Sequence, residues 1–523
     1  MKFTISWLKD HLDTNASLDE ISKTLTAIGL EVESITDRSN DLKPFTVAKV
    51  LHAEKHPEAD KLRVCKVQSD VGELQIVCGA PNARAGIFVA LAKEGALIPR
   101  DQFVIKKTKI RGVESNGMLC SADELGIGGD SEGIIELPEA PIGASVAEVM
   151  GLNDPVIEIA ITPNRADALG VHGVARDLAA AGLGKLKALP DVSGFKGGFA
   201  SPVTVSIADD NCLQFIGCYI KGVKNGESPA WLKNRLAAIG QKSISALVDI
   251  SNYITFDLGR PLHVYDAKKL SGNIHVRAAK DGEKLAALDN KEYALTPNML
   301  VIADDRAALG LGGVIGGTET GCTPETTDVF LEVALFNPIS LANTGRVLQL
   351  NTDARYRFER GVDVNFVETG ALLALRLIKE LCGGEMSNLV ITGKTPQWQR
   401  SIKLNANRIA SLGGVNVAPA KIEAMLKSLG FAVTASAGTY EVSPPSWRAD
   451  VEGEADVVEE ILRINGYDNI PATPLPKLVA IAKPALNLMQ KRTHLAKRLL
   501  ATRGFMECCT WSFLAEKQAK LFG

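Results

Sequence analysis

The chain has 523 residues, 46% of them hydrophobic and 23% charged, which is ordinary globular composition and, by length alone, about three to five domains. Its 58 basic and 61 acidic side chains sum to -3, so a nucleic-acid partner has to be met by local patches rather than by a globally positive field. Nine scattered cysteines form no CxxC pair, which argues against structural zinc and fits a reducing compartment. Lys9 and Asp10 interrupt any signal-peptide core, and no apolar run approaches the ~20 residues of a membrane span, so a cytoplasmic location is expected.

Residues 1–40 open with a strand-like MKFTISWL and continue as a helix in which Ser17 caps with Glu20 at the third position and Gly29 ends the run. From 41 to 150 the character changes to β-branched runs (FTVAKVLHAE, LRVCKVQS, LQIVCG, FVALA) separated by turn residues. These read as a small closed barrel. Helical pattern returns over 151–190, so the barrel reads as an insertion into a split α+β unit. A Gly/Pro/Ser-rich stretch near 189–202 leads to a mixed α/β domain over 200–395, and a further break precedes a compact three-helix module over 400–475. Beyond 476 a basic amphipathic helix containing Leu488, Leu495 and Leu499 ends at Gly504, and MECCTWSF predicts a strand.

Nucleotide-activating apparatus is missing from the pattern. There is no GxxxxGK[ST], because Asn388 stands where the first glycine of the near miss at 392–395 is needed. LGLGGVIGG (309–317) fails GxGxxG at Ile315 and reads as a tight turn flanked by closely packed backbone. No HExxH or other zinc pattern occurs.

Three constellations carry chemistry. Arg100, Lys106, Lys107, Lys109 and Arg111 put five cations beside one acid, Asp101; alone, such a run is most often a solvated face, but on a barrel it also suits RNA phosphates. Glu332 stands inside the apolar run VFLEVAL, and His263 follows in RPLHVYD. The segment RADVEGEADVVEE gathers Asp450, Asp456, Glu459 and Glu460, where clustered oxygens suit Mg²⁺ and a helix dipole explains the first-turn acids equally well. On a helix, Asp456, Glu459 and Glu460 fall on one face, with Val457, Val458, Ile461 and Leu462 on the buried one.

The barrel strings HAEKHPEADKLRVCKV, VCGAPNARAG and KTKIRGVESNGMLCSADELGI, followed by ITPNRADALGVHGVARDLAA, LVDISNYITFDLGRPLHVYDAKKL, LNTDARYRFERGVD and PPSWRADVEGEADVVEEILRINGYDNIP, resemble the beta subunits of bacterial phenylalanyl-tRNA synthetase in order and along the whole chain. The resemblance implies a multidomain α+β fold with an inserted OB-type β-barrel that binds tRNA. It also implies an α/β editing domain (B3/B4-type) and a small helical, winged-helix-like module (B5-type). It further implies that residues 476–523 begin a catalytic-like domain cut short, with its leucines facing the partner.

By the same resemblance, a catalytic alpha subunit in an α2β2 heterotetramer supplies the ATP site and shares Mg²⁺ with Asp450, Asp456, Glu459 and Glu460. This chain contributes tRNA(Phe) contacts and hydrolyses mischarged Tyr-tRNA(Phe), with Glu332 reading the tyrosine hydroxyl, His263 positioning substrate or water, and Asn252, Thr352 and Ala354 lining the pocket. It contributes no aminoacylation residue. A phenylalanine pocket rejects an added hydroxyl only about 10²-fold, whereas a site built to bond that hydroxyl discriminates by roughly 10⁴ to 10⁵, which is why a second site is needed. A stand-alone trans-editing deacylase, or a tRNA-binding protein without enzymatic activity, are the alternatives.

Overall fold

The computed structural model describes residues 1–128, 133–436, 438–475 and 484–522. It divides into a unit over 1–470 and a second over 471–523. The first strand is shorter than MKFTISWL promised. It covers Lys2–Thr4, after which the Thr4 hydroxyl accepts the Trp7 amide and starts the helix Ile5–His11, burying Trp7, Leu8 and His11 on one face. The next helix, Leu18–Ala27, begins in the expected Ser17/Glu20 capping box and stops at Gly29, whose φ of 88° favours glycine.

Strand Val156–Ile159 lies between Lys2–Thr4 and Val32–Thr36 in one antiparallel sheet. The chain therefore leaves this sheet after Thr36 and returns to its centre 120 residues later, by difference of those positions. The excursion holds an antiparallel sheet in the order Met118–Leu119, Phe88–Ala92, Phe45–His56, Ala59–Ser69, Gly72–Cys78, with Glu136–Leu137 also pairing with Phe88–Ala92. A hairpin, Thr108–Ile110 with Val113–Ser115, meets the far strand where the Asn116 amide donates to the Gln75 carbonyl (2.8 Å) and Val77 N–H to the Ser115 hydroxyl (3.1 Å).

The central region rests on an antiparallel sheet in the order His263–Asp266, Asp328–Phe336, Cys212–Lys221, flanked by Glu385–Met386 and Val390–Gly393. Alternation along Asp328–Phe336 sends Val329, Leu331 and Val333 into one core and Phe330, Ala334 and Phe336 into another. The first core continues through helices Ala246–Leu258 and Val367–Cys382 to the N-terminal Trp7 and Leu8. The second is closed by a five-stranded sheet that ends in the hairpin Ala308–Leu311/Ile315–Gly316, the turn read from LGLGGVIGG.

Residues 402–465 form three helices, Ala406–Gly413, Pro419–Ser428 and Glu454–Asn465, against a three-stranded sheet with its own core. In the second unit, helix Leu488–Thr502 starts at an Asn487/Gln490 capping box and exposes Leu488, Leu495 and Leu499. The MECCTWSF segment is not a strand: no other strand occurs among the described residues of this unit, and a lone strand leaves its amides unpaired. The expected break at 476 falls in 476–483, outside the described residues. No helix among the described residues is long and apolar enough to cross a membrane.

Candidate functional site

Antiparallel pairing sets His263 directly opposite Glu332 and Gly217 on the other side of it, so the three stand in one row across the central sheet. Gly217 is obligatory there, because a Cβ would lie 2.3 Å from the Phe330 ring. Gly316 plays the same part above His263, where a Cβ would come within 2.6 Å of the imidazole. The space beside Gly316 is a cavity of about 490 Å³ lined by His263, Glu332, Asn252, Thr352 and Ala354 among others, so residues as far apart in the chain as Gln241 and Phe358 share one pocket.

Glu332 is 6% exposed and hydrogen-bonded to the Tyr265 hydroxyl through Oε2. Burial pushes its carboxyl up to about 7, opposed by that bond. The His263 ring opens to the cavity at one edge, while its Nε2 is wholly buried without a hydrogen-bond partner. Burial lowers its pKa to about 4, leaving a neutral imidazole at pH 7. Thr352 does two structural jobs: its hydroxyl donates to the Val314 carbonyl (2.6 Å) and accepts the Arg355 amide (3.2 Å), capping helix Asp353–Phe358. Ala354 is half-buried in the first turn of that helix, and Asn252 is half-buried on Ala246–Leu258.

Among the described residues no serine or cysteine paired with a base lines this cavity. The Ser251 hydroxyl is spent on the Val248 carbonyl (2.7 Å), and Cys322 is a thiol whose pKa burial pushes up to about 12. Tyr265 escaped the sequence reading, although its place two residues after His263 on a strand puts both side chains on one face. Their rings meet edge-on with centroids 4.4 Å apart.

The five cations are all exposed near the hairpin of the inserted sheet, but not all are available. Arg100 is paired with Asp123 and lies 3.9 Å from Asp101, and Lys107 lies 3.5 Å from Glu114. Arg111 Nη1 reaches the Glu58 carbonyl at 3.5 Å, while Lys106 and Lys109 have no charged partner among the described residues.

The four acids of 450–460 do not converge. Asp450 holds Arg448 through both oxygens (2.9 and 2.8 Å), and Asp456 accepts the amides of Glu452 and Gly453 at its own helix start. Glu460 is not on the solvent face predicted for it: it is 1% exposed and clasped by Arg448 and Arg463, which hold its carboxyl down at about 2. Leu462, expected buried, is half-exposed. Glu459 alone is exposed without a charged partner, and no cluster of three metal-ligating side chains occurs among the described residues.

Three family descriptions match this chain: a putative tRNA binding domain over 45–145, a B3/4 domain over 211–383 and a tRNA synthetase B5 domain over 402–467. Over its whole length the chain is 55% identical to the phenylalanine–tRNA ligase beta subunit of Paramagnetospirillum magneticum, 53% to that of Rhodospirillum rubrum and 52% to that of Rhodopseudomonas palustris. It spans 66% of the length of each of these curated relatives.

Proposed function

This chain belongs to the family of phenylalanine–tRNA ligase beta subunits, and on that premise we propose that it acts in the cytoplasm as the tRNA-binding and proofreading partner of a catalytic alpha subunit. The observation that carries the proofreading part is a buried carboxylate set opposite an unpartnered imidazole in one cavity. Buried Glu332 offers an acceptor to a tyrosine hydroxyl, and with phenylalanine in its place that acceptor stays unpaired, which disfavours the correct product. Water then attacks the ester carbonyl, the carbonyl–oxygen bond to the terminal ribose breaks, and free tyrosine and tRNA(Phe) leave. Neutral His263 orients substrate or water, and with no paired Ser or Cys among the described residues lining the cavity, water itself is the nucleophile.

The inserted sheet, read as an OB-type barrel over 41–150, carries the tRNA contacts, with Lys106 and Lys109 the cations best placed to meet phosphates. The 200–395 region is the editing domain, and residues 1–40 with 151–190 make the split N-terminal domain. ATP and the acylation chemistry belong to the alpha subunit of an α2β2 assembly, which the exposed Leu488, Leu495 and Leu499 face suits as a docking surface. The acids of 450–460 do not fit a preformed magnesium cage, since arginines occupy Asp450 and Glu460 and Asp456 holds its own helix start; of the four, Glu459 has no charged partner among the described residues and could reach an ion held with the partner. The test is hydrolysis of preformed Tyr-tRNA(Phe), with Phe-tRNA(Phe) as control. Tyrosine-selective release that Glu332→Ala abolishes is expected, and equal release of both amino acids would overturn the reading.

A further inference from the structure

We propose that Tyr265 is a positioning residue for Glu332: its hydroxyl fixes one carboxylate oxygen and leaves the other for the ligand's hydroxyl. This rests on the proofreading role given above to the cavity. The Tyr265 phenol donates to Oε2 of Glu332, whereas Oε1 has no partner among the described residues, and Glu332 lines the cavity. Tyr265 cannot drift from this post. It is 2% exposed, strand pairing fixes it opposite Phe330 and two residues from His263, and the His263 ring packs edge-on against it.

A carboxylate without that donor would be one of the least favourable groups in the pocket. The titratable side chains around it are His263 and Tyr265 from the adjacent strand, the Cys212 thiol from the strand on its other side, and Cys322 and Asp353 elsewhere on the cavity wall. None brings a positive charge near neutral pH, because His263 is neutral there. The buried Arg260 guanidinium reaches the same strand only at the Ala334 carbonyl. The ionised state therefore depends on the phenol bond, and burial already holds the carboxyl near 7, where losing one donor matters most.

The experiment compares the full chain with Tyr265→Phe and Glu332→Gln in hydrolysis of Tyr-tRNA(Phe) and Phe-tRNA(Phe) from about pH 6 to 8.5. Alongside, the Glu332 carboxyl is titrated by infrared difference against Glu332→Gln. Loss of one charge-assisted bond should raise the carboxyl midpoint by about one pH unit, lower tyrosine selectivity about fivefold at pH 7, and leave it largely restored near pH 8.5. Glu332→Gln should show no acid limb. An unmoved midpoint, or a Tyr265→Phe variant that hydrolyses Tyr-tRNA(Phe) faster than the parent, would overturn the inference. Selective hydrolysis in the parent with an unshifted variant would do so while leaving the proofreading reading intact. A shifted midpoint in a chain that does not discriminate the two substrates would instead sink the proofreading reading and leave the Tyr265–Glu332 coupling standing.

Discussion

Replacing Glu332 by glutamine preserves the volume of the side chain and an acceptor for Tyr265 while removing the titration. The carboxyl sits at about 7 in the folded chain against 4.5 as its ordinary value, so the folded state holds the proton over that interval while the unfolded chain has released it. Stability therefore falls as pH rises from about 4.5 to 7, by about 3 kcal/mol for a shift of that size. His263 contributes with the opposite sign, because its pKa drops from 6.5 to about 4 and the unfolded chain binds the extra proton, so stability rises across that window. In the parent protein the two slopes oppose each other below pH 6.5, and only the difference from Glu332→Gln isolates the carboxyl. A chain with several cores does not unfold in one step, so the assay is hydrogen exchange of peptides from Asp328–Phe336 at stepped pH, corrected for intrinsic exchange rates. The parent should lose protection relative to the variant as pH climbs to 7 and hold level above it. A flat difference, or one rising with pH, would refute the argument.

Arg448→Ala strands Asp450 without its counter-ion and leaves Glu460 to Arg463 alone, and breaking a buried pair in this way should cost about 3 kcal/mol, read as a lowered melting transition of the 402–465 module. Because Glu460 is held down at about 2, its stabilisation is present above pH 4.5 and disappears as pH falls toward 2, so acid titration of the parent should unfold this module over that range. Thr352→Ala removes a helix cap and the bond to Val314 and should cost about 1 kcal/mol, seen as faster exchange in Asp353–Phe358. Lys106→Glu with Lys109→Glu should weaken tRNA binding at every sequence and flatten its salt dependence by about 0.7 to 0.9 for each phosphate that is no longer neutralised; an unchanged slope would remove these lysines from the interface.

Local signals were legible where local physics decides. The Ser17/Glu20 box needs only neighbours in sequence to act, and the alternating runs of the inserted sheet find their partners in the next runs along the chain, so both appear where the residues put them. MKFTISWL failed at its middle because the Thr4 cap, a side-chain bond three residues long, outweighed the β-branched look of the segment. MECCTWSF failed because a strand is defined by a partner, and a sequence does not show whether one is at hand. The cavity was legible only through resemblance: nothing in RPLHVYD or VFLEVAL states that they pair, and it is the antiparallel register that sets His263 against Glu332.

The acid-rich segment shows the same limit from the side of charge. Counted along the chain, RADVEGEADVVEE looks like surplus negative charge awaiting a cation. In space the cations are already present. Arg448 lies within the same segment, and Arg463, one turn beyond Glu460, also reaches Asp177 on helix Val171–Ala180 (3.0 Å), which in turn holds Arg165 (2.6 Å). Asp167, bound to Arg165 at 2.9 Å, extends the chain of alternating charges. Ion pairs buried this deeply contribute little net stability compared with apolar packing, but each member is costly to strand. Such a network therefore fixes which surface of the 402–465 module meets the N-terminal helices, because any other docking leaves an arginine or a carboxylate dry and alone. Of the acids that a sequence assigns most readily to a metal, Glu460 is in this fold a member of the network that sets the register between two of its cores.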